Sequence, residues 1–261
     1  MTQKRSLLRA AVVLLAVLLL SVFASAAAET AEAPQQTVFV FDQDREMDLW
    51  QQDKTLRVFC IPVGAQDCYF ITCEGHAMVL DCAGDKYQRQ LIHQLRELNI
   101  PIRVCEAGEA LSLGGAQLET YRYMGTKNTN DRSMVVHIRY GKRSILFTAD
   151  IGLTAQRDLA RENAGQFKSD ILKLPHHGVG GISPDLLDAV SPELCFVSNG
   201  PTSHDVKLQK TAVLKRNLPL YFTSRQPLVL LTDGEIWEAQ QWPADSLMLP
   251  WYQYQPEQSE K

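Results

Sequence analysis

The sequence lacks several motifs by which enzymes are commonly identified. It contains no Gly-x-Ser-x-Gly elbow, no Walker phosphate-binding loop and no dinucleotide-binding Gly-x-Gly-x-x-Gly. None of its six cysteines forms a Cys-x-x-Cys pair. The nucleophile, nucleotide and dinucleotide chemistries that depend on these motifs therefore have no basis in this sequence.

The sequence also lacks an apolar run long enough to span a membrane. Its longest run, from Ala10 to Phe23, is about fourteen residues, whereas a spanning helix needs about 20. Three basic residues precede this run and small residues follow it at positions 24–28, an order typical of a secretory signal peptide. We therefore expect residues 1–28 to be a cleaved signal peptide and the protein to be exported, without stable membrane insertion afterwards. An uncleaved membrane anchor is the alternative.

An excess of basic residues is missing as well. The chain has 26 basic and 30 acidic residues, and removal of residues 1–28 takes away three basic and no acidic ones, which leaves a formal charge of −7. An acidic surface does not attract polyanions, so a nucleic-acid substrate would need a local basic groove or a metal ion.

The rest of the chain is predicted to form one α/β domain. Residues 29–54 are polar and irregular and suggest a linker or an added strand, and residues 241–261 form a polar tail. Between them, residues 55–240 begin with strands, two of which are joined by a predicted hairpin turn at Glu74 and Gly75. An amphipathic helix follows, and the domain ends with alternating helices and strands. This alternation predicts helices packed on the faces of a sheet.

The six cysteines all lie after the predicted signal peptide, at positions 60, 68, 73, 82, 105 and 195. Outside the cytoplasm an even number of cysteines permits disulfides. Most of them lie in strand-like apolar runs, where a free thiol acts as a small hydrophobic side chain. Pairing does not follow from the sequence.

Five segments resemble, in order and spacing, the ComEC-type hydrolase domains of the metallo-β-lactamase superfamily. Residues 63–67 (VGAQD) are similar to the Val-Gly-Gln-Gly-Asp turn of that family, and residues 79–84 (VLDCAG) to its Leu-Ile-Asp-Thr-Gly strand end. Residues 130–133 match its Asn-x-x-Ser, and residues 147–150 (FTAD) its Leu-Thr-Gly-Asp. The most specific match is residues 170–178 (DILKLPHHG) with Asp-Val-Leu-Lys-x-x-His-His-Gly. The resemblance implies a metallo-β-lactamase-like β sandwich flanked by helices.

The motif that supplies most metal ligands in this family, His-x-His-x-Asp-His, is missing. The predicted helix ends at Asn99. The residues that follow it resemble the part of the family's sequence that lies well after this motif. The resemblance therefore implies that an internal block has been lost. No histidine lies between His93 and His137. The resemblance carries over only Asp150 and one of His176 and His177 as ligands.

Two readings of this reduced set stay open. In the first, Asp81 joins Asp150 and the histidine pair to hold one zinc or manganese ion. In the second, no metal binds, Asp150 caps the following helix, and the histidines hydrogen-bond within a loop. The resemblance also implies a pocket rim, for which the candidates are Asn130, Ser133 and His204.

These readings lead to two functional hypotheses. The first is an exported scaffold with a degenerate metal site that binds an unidentified ligand or exported partner without catalysis. The second is a metal-dependent hydrolase of phosphodiesters or similar esters. Only the family resemblance suggests a nucleic acid as substrate. A partner chain that supplies the missing ligands is a third reading.

Overall fold

The computed structural model describes residues 47–84, 89, 92–93, 96–97 and 108–244. All of these residues belong to a compact unit of residues 37–261. The predicted signal peptide, most of the linker and residues 245–261 lie outside the described residues. Within the described ranges, no helix is long and apolar enough to cross a membrane.

Within the described residues, twelve strands form two sheets. In chain order they are β1 Leu56–Cys60, β2 Cys68–Cys73, β3 His76–Cys82, β4 Leu111–Leu113, β5 Ala116–Arg122, β6 Met134–Tyr140, β7 Arg143–Phe147, β8 Ile171–Lys173, β9 Leu194–Val197, β10 Leu220–Phe222, β11 Leu228–Thr232 and β12 Trp237–Gln241. The five-stranded sheet has the order β12-β11-β1-β2-β3, and the seven-stranded sheet has the order β10-β9-β8-β7-β6-β5-β4. The first sheet is antiparallel throughout.

The hairpin between β2 and β3 shows how the sequence produces this sheet. β2 alternates buried and more exposed side chains, as a strand packed on one face does. Glu74 and Gly75 both have positive φ, 49° and 82°, as two-residue turns that match the strand twist require. The predicted turn at these two residues is confirmed.

The seven-stranded sheet changes from antiparallel to parallel at β7. Strands β7, β8, β9 and β10 run parallel, and parallel neighbours need crossover connections. Three helices fill these crossovers: α1 Leu153–Glu162, α2 Pro184–Val190 and α3 Lys207–Leu214. The predicted alternation of helices and strands in this half of the chain is confirmed.

Apolar clusters on both faces of the seven-stranded sheet hold the layers together. One cluster lies between the sheets and includes Val58 and Ile71 of the smaller sheet and Ile145 and Phe196 of the larger. A second cluster joins the outer face of the larger sheet to the helices, with Leu159 of α1 among its members. The predicted α/β architecture, a β sandwich flanked by helices, is confirmed.

The amphipathic helix predicted for residues 85–100 is described only at Arg89, Ile92, His93, Arg96 and Glu97, all of which are helical.

Five of the six cysteines lie in described residues, and all five are free thiols. Cys105 lies outside the described residues.

A polar cluster joins the two sheets at the end where β7 and β8 begin. The Trp237 indole N–H donates to Asp170 Oδ2 at 3.1 Å, and Arg143 lies 3.5 Å from Asp170 Oδ1. Arg143 also donates to the carbonyl of Glu235 at 2.6 Å. The first residue of the DILKLPHHG segment therefore has a structural role between the sheets.

A buried histidine makes the fold sensitive to acid. His137 of β6 is 0% exposed, and its Nε2 lies 2.9 Å from Ser169 Oγ. Burial, followed by the positive charge of Arg139, lowers the pKa of His137 to about 4 from 6.5. Above pH 6.5 the folded and unfolded states are both neutral at this residue. Below it the unfolded chain binds a proton that the folded chain does not, so stability falls as the pH decreases toward 4.

We expect His137→Gln to reduce this acid sensitivity. Between pH 7 and 4.5 the wild type should lose about 2–3 kcal/mol of unfolding free energy through His137, and the variant should lose correspondingly less. Urea denaturation at both pH values measures the difference, with the exposed His76→Gln as the matched control. Equal losses in all three proteins would contradict this assignment.

Candidate metal site

The carboxyl ends of β7, β8 and β9 meet at one edge of the seven-stranded sheet. Because these strands are parallel, the residues that follow them are brought together. Asp150 follows β7, His177 follows β8 and Ser198 follows β9. Asp67, directly before β2, reaches the same place from the five-stranded sheet. The site therefore forms where the two sheets meet.

A buried ion pair underlies the site. Asp67 is 3% exposed and Lys173 is 0% exposed, and the Lys173 ammonium pairs with Asp67 Oδ2. The Tyr69 hydroxyl donates to Asp67 Oδ1 at 2.8 Å, and the Ser198 hydroxyl donates to the same oxygen. Lys173 also donates to the Ala149 carbonyl at 3.0 Å. Both oxygens of the Asp67 carboxylate are thus engaged by donors of the chain itself.

The charges around Asp67 decide its protonation state. Burial alone raises the pKa of Asp67, but the Lys173 ammonium and the His177 imidazole outweigh it and hold the pKa well below its usual range. The carboxylate is therefore ionised at neutral pH.

His177 bridges two carboxylates. Its Nδ1 lies 3.4 Å from Asp67 Oδ1, and its Nε2 lies 3.2 Å from Asp150 Oδ1. Burial lowers the pKa of His177, but its contacts with the Asp150 and Asp67 carboxylates outweigh this effect and raise the pKa to about 9. The same contact with His177 lowers the pKa of Asp150 against the effect of burial. At neutral pH a metal ion at Nε2 would have to displace a proton.

Unusual backbone conformations are concentrated around these side chains. His176 and His177 both have φ of 50°, and Ala149 has φ of 45°. The His176 N–H donates to the Ala149 carbonyl at 2.8 Å, and the Asn199 amide donates to the His177 carbonyl at 2.9 Å. Left-handed conformations in residues other than glycine cost energy and are commonly found at functional sites. The backbone conformations around these side chains are therefore of the kind found at functional sites.

The predicted ligands are only partly brought together. His177 contacts Asp150 as the ligand hypothesis requires, whereas the Nε2 of His176 lies 3.3 Å from the Asn130 amide nitrogen. Asp81 stands on an exposed part of β3 with φ of 57° and accepts a hydrogen bond from the Cys82 N–H at 2.7 Å. Although the residue is exposed, partial desolvation of its carboxyl by neighbouring groups, followed by the negative charge of Asp67, raises the pKa of Asp81.

The predicted rim residues differ in their relation to the site. Asn130 reaches it through His176, and the Ser133 N–H donates to the Asn130 carbonyl at 2.9 Å. His204 is exposed in the turn before α3, and its carbonyl accepts a hydrogen bond from the Lys207 N–H. Asp150 does not cap α1, whose N-cap residue is Gly152 and which has no side-chain cap. The Gly152 N–H donates to Asp131 Oδ1 at 2.7 Å.

The donor set fits a catalytic metal poorly. Among the described residues, Asp67, Asp150 and His177 form a group whose ligand atoms lie within 4.8 Å of one another, close enough to hold a metal ion. Asp67, however, is already engaged by Lys173, Tyr69 and Ser198. Asp150 and His177 remain, and a catalytic zinc needs about three protein ligands.

Two central residues, Asp67 and Lys173, were not among the predicted site residues. Both lie in segments that carry the family resemblance, VGAQD and DILKLPHHG. A lysine within the apolar run Ile171–Leu174 is a signal that could have identified the pair, because a buried ammonium needs a buried anion.

No protein-family model and no curated protein matches this chain. Several solved structures are similar to it. One is CmlA, a diiron β-hydroxylase from Streptomyces venezuelae, with a TM-score of 0.45 and 11% identity over 65% of this chain and 53% of that one. The chain thus spans about half the length of the CmlA chain.

Two further structures are of shorter proteins. A protein from Thermotoga maritima, assigned as a Zn-dependent hydrolase of the metallo-β-lactamase superfamily, has a TM-score of 0.41 and 12% identity over 64% of this chain and 97% of that one. Igni18, a metallo hydrolase from Ignicoccus hospitalis, has a TM-score of 0.41 and 9% identity over 64% and 94%.

We expect Lys173→Met to destabilise the fold strongly. Removal of the ammonium leaves the buried Asp67 carboxylate uncompensated, at a cost of about 3–5 kcal/mol. The second change Asp67→Leu should recover part of the loss. Urea denaturation measures the three proteins. For the exposed Arg161–Asp185 pair, the control Arg161→Met should cost less than about 1 kcal/mol. A Lys173→Met protein as stable as the control would contradict the role of this pair.

Proposed function

We propose that this protein is an exported, non-catalytic member of the metallo-β-lactamase type, related to ComEC-type hydrolases. In this proposal its degenerate metal site remains as part of a surface that binds a ligand or an exported partner. The site has the backbone conformations of a functional centre but too few free ligands for metal-dependent chemistry.

The observation that carries the proposal is the engagement of Asp67. Its two oxygens accept from Lys173, Tyr69 and Ser198, and a metal ion at Asp67 would compete with these contacts. The buried Lys173 ammonium also places a positive charge beside the position that a cation would occupy. Electrostatic repulsion between the Lys173 ammonium and a cation bound beside it disfavours metal binding.

The alternative is a metal-dependent hydrolase of phosphodiesters or similar esters with a single zinc or manganese ion. The grouping of Asp67, Asp150 and His177 favours it, and carboxylate and imidazole together suit either ion. In this alternative Asp81 joins the ligands and a water molecule completes the set.

Metal content distinguishes the two functions. We expect the mature protein, purified without a histidine tag and dialysed after incubation with zinc or manganese, to retain well below one equivalent by elemental analysis. Asp150→Ala and His177→Ala should not lower this content, and neither should the exposed control His76→Ala. Stoichiometric metal that is lost in Asp150→Ala and His177→Ala but kept in His76→Ala would instead support the hydrolase, as would phosphodiester cleavage with the same pattern.

Export is tested separately. We expect a bacterial host to convert the full chain to a form that begins after the small residues at positions 24–28, as N-terminal sequencing of the exported fraction would show. Leu15→Arg should interrupt the apolar run and leave the protein uncleaved in the cytoplasm. A full-length chain in the membrane fraction would favour the uncleaved anchor, and cleavage of Leu15→Arg would contradict the signal assignment.

A further inference from the structure

Two of the free cysteines face each other beside the site. Cys68 begins β2 and Cys82 ends β3, and the antiparallel register makes them direct partners. Directly opposed residues in an antiparallel pair have Cα atoms about 4.5–5.5 Å apart and side chains on the same face. Disulfides form at Cα separations of about 4.4–6.8 Å. Opposed residues of an antiparallel pair are therefore within the range of separations that a disulfide bridges.

Hydrogen bonds fix this arrangement of the two strand ends. The Ala83 N–H donates to the Asp67 carbonyl at 2.7 Å, and the Gly84 N–H donates to the Gln66 side chain at 3.2 Å. A register shift between Cys68 and Tyr69 leaves Asp81 as an extra residue on β3. These contacts hold the opposed cysteines in place without a covalent link.

The other described cysteines have no such partner. In the strand registers, Cys60 lies opposite Tyr69 and Leu228, Cys73 lies opposite Leu56 and His76, and Cys195 lies between β8 and β10 opposite Leu172 and Leu220. Among the described cysteines, Cys68 and Cys82 are therefore the pair that the fold selects.

We propose that Cys68 and Cys82 form a disulfide when the protein meets a thiol oxidant, which links the strand ends that carry Asp67 and Asp81. In this modification Cys82, the more exposed thiol, loses its proton and attacks the oxidant. With glutathione disulfide this step releases one glutathione thiol. Cys68 then displaces the second glutathione, so two electrons and two protons pass to the oxidant.

The surroundings of the thiols set the rate of this reaction. Burial, followed by the charge of Cys82, raises the pKa of Cys68 to about 12, and burial together with Asp81 raises the pKa of Cys82. Thiolates are the reactive species. Exchange is therefore slow at neutral pH and faster at alkaline pH.

The proposal depends on export only because export decides whether the protein meets an oxidant. It can therefore be tested on purified protein. The full mature chain is incubated at pH 8.5 with glutathione disulfide or with dithiothreitol, and the remaining thiols are alkylated. Trypsin and a glutamate-specific protease then release residues 58–74 and residues 75–86 as separate peptides. A disulfide between Cys68 and Cys82 links them, and fragment spectra identify the cysteines joined.

We expect the oxidised sample to contain this linked peptide, with a mass two hydrogens below the sum, and the reduced sample to lack it. Cys68→Ser and Cys82→Ser should each abolish the link, and the control Cys195→Ser should retain it. Closure of this loop should raise the unfolding temperature by roughly 5–10 °C in a manner reversed by dithiothreitol. Two free thiols after prolonged oxidation, or a link from Cys82 to another cysteine, would overturn the proposal.

Discussion

The buried ion pair between Lys173 and Asp67 is the interaction on which the site depends. It joins β8 of the seven-stranded sheet to the residue before β2 of the five-stranded sheet, and neither charge is exposed enough for water to replace its partner. A buried charge without a partner costs several kcal/mol, so each residue fixes the position of the other. Tyr69 and Ser198 then complete the hydrogen bonds of the carboxylate, and His177 is held between Asp67 and Asp150.

The same pair explains how two carboxylates lie close together at this edge of the sheet. Here the Lys173 ammonium and the His177 imidazole, whose pKa is raised to about 9, neutralise Asp67 and Asp150. The left-handed backbone at His176 and His177 is retained because the surrounding hydrogen bonds still enforce it. The geometry of the site is thus stable in itself, which is what a binding surface requires.

The two ends of the sandwich use related solutions. At one end Asp170 accepts from Trp237 and pairs with Arg143. At the other end Asp67 pairs with Lys173. Both polar clusters lie next to the apolar layer between the sheets, where a displaced strand would leave a charge unpaired. Such clusters fix the register of one sheet against the other more tightly than apolar packing alone, because hydrogen bonds are directional.

The sequence by itself determined the local elements and their order. Strands β1 to β3, the turn at Glu74 and Gly75, and the alternation after β7 follow from side-chain periodicity and turn residues, which are properties of neighbouring positions. It also identified the segments that contain Asp150 and His177. Only the tertiary structure decided which histidine faces Asp150, that Asp67 and Lys173 pair although they are 106 positions apart in the sequence, and that Cys68 faces Cys82. These contacts depend on how the two sheets meet and on strand register, which local periodicity does not encode.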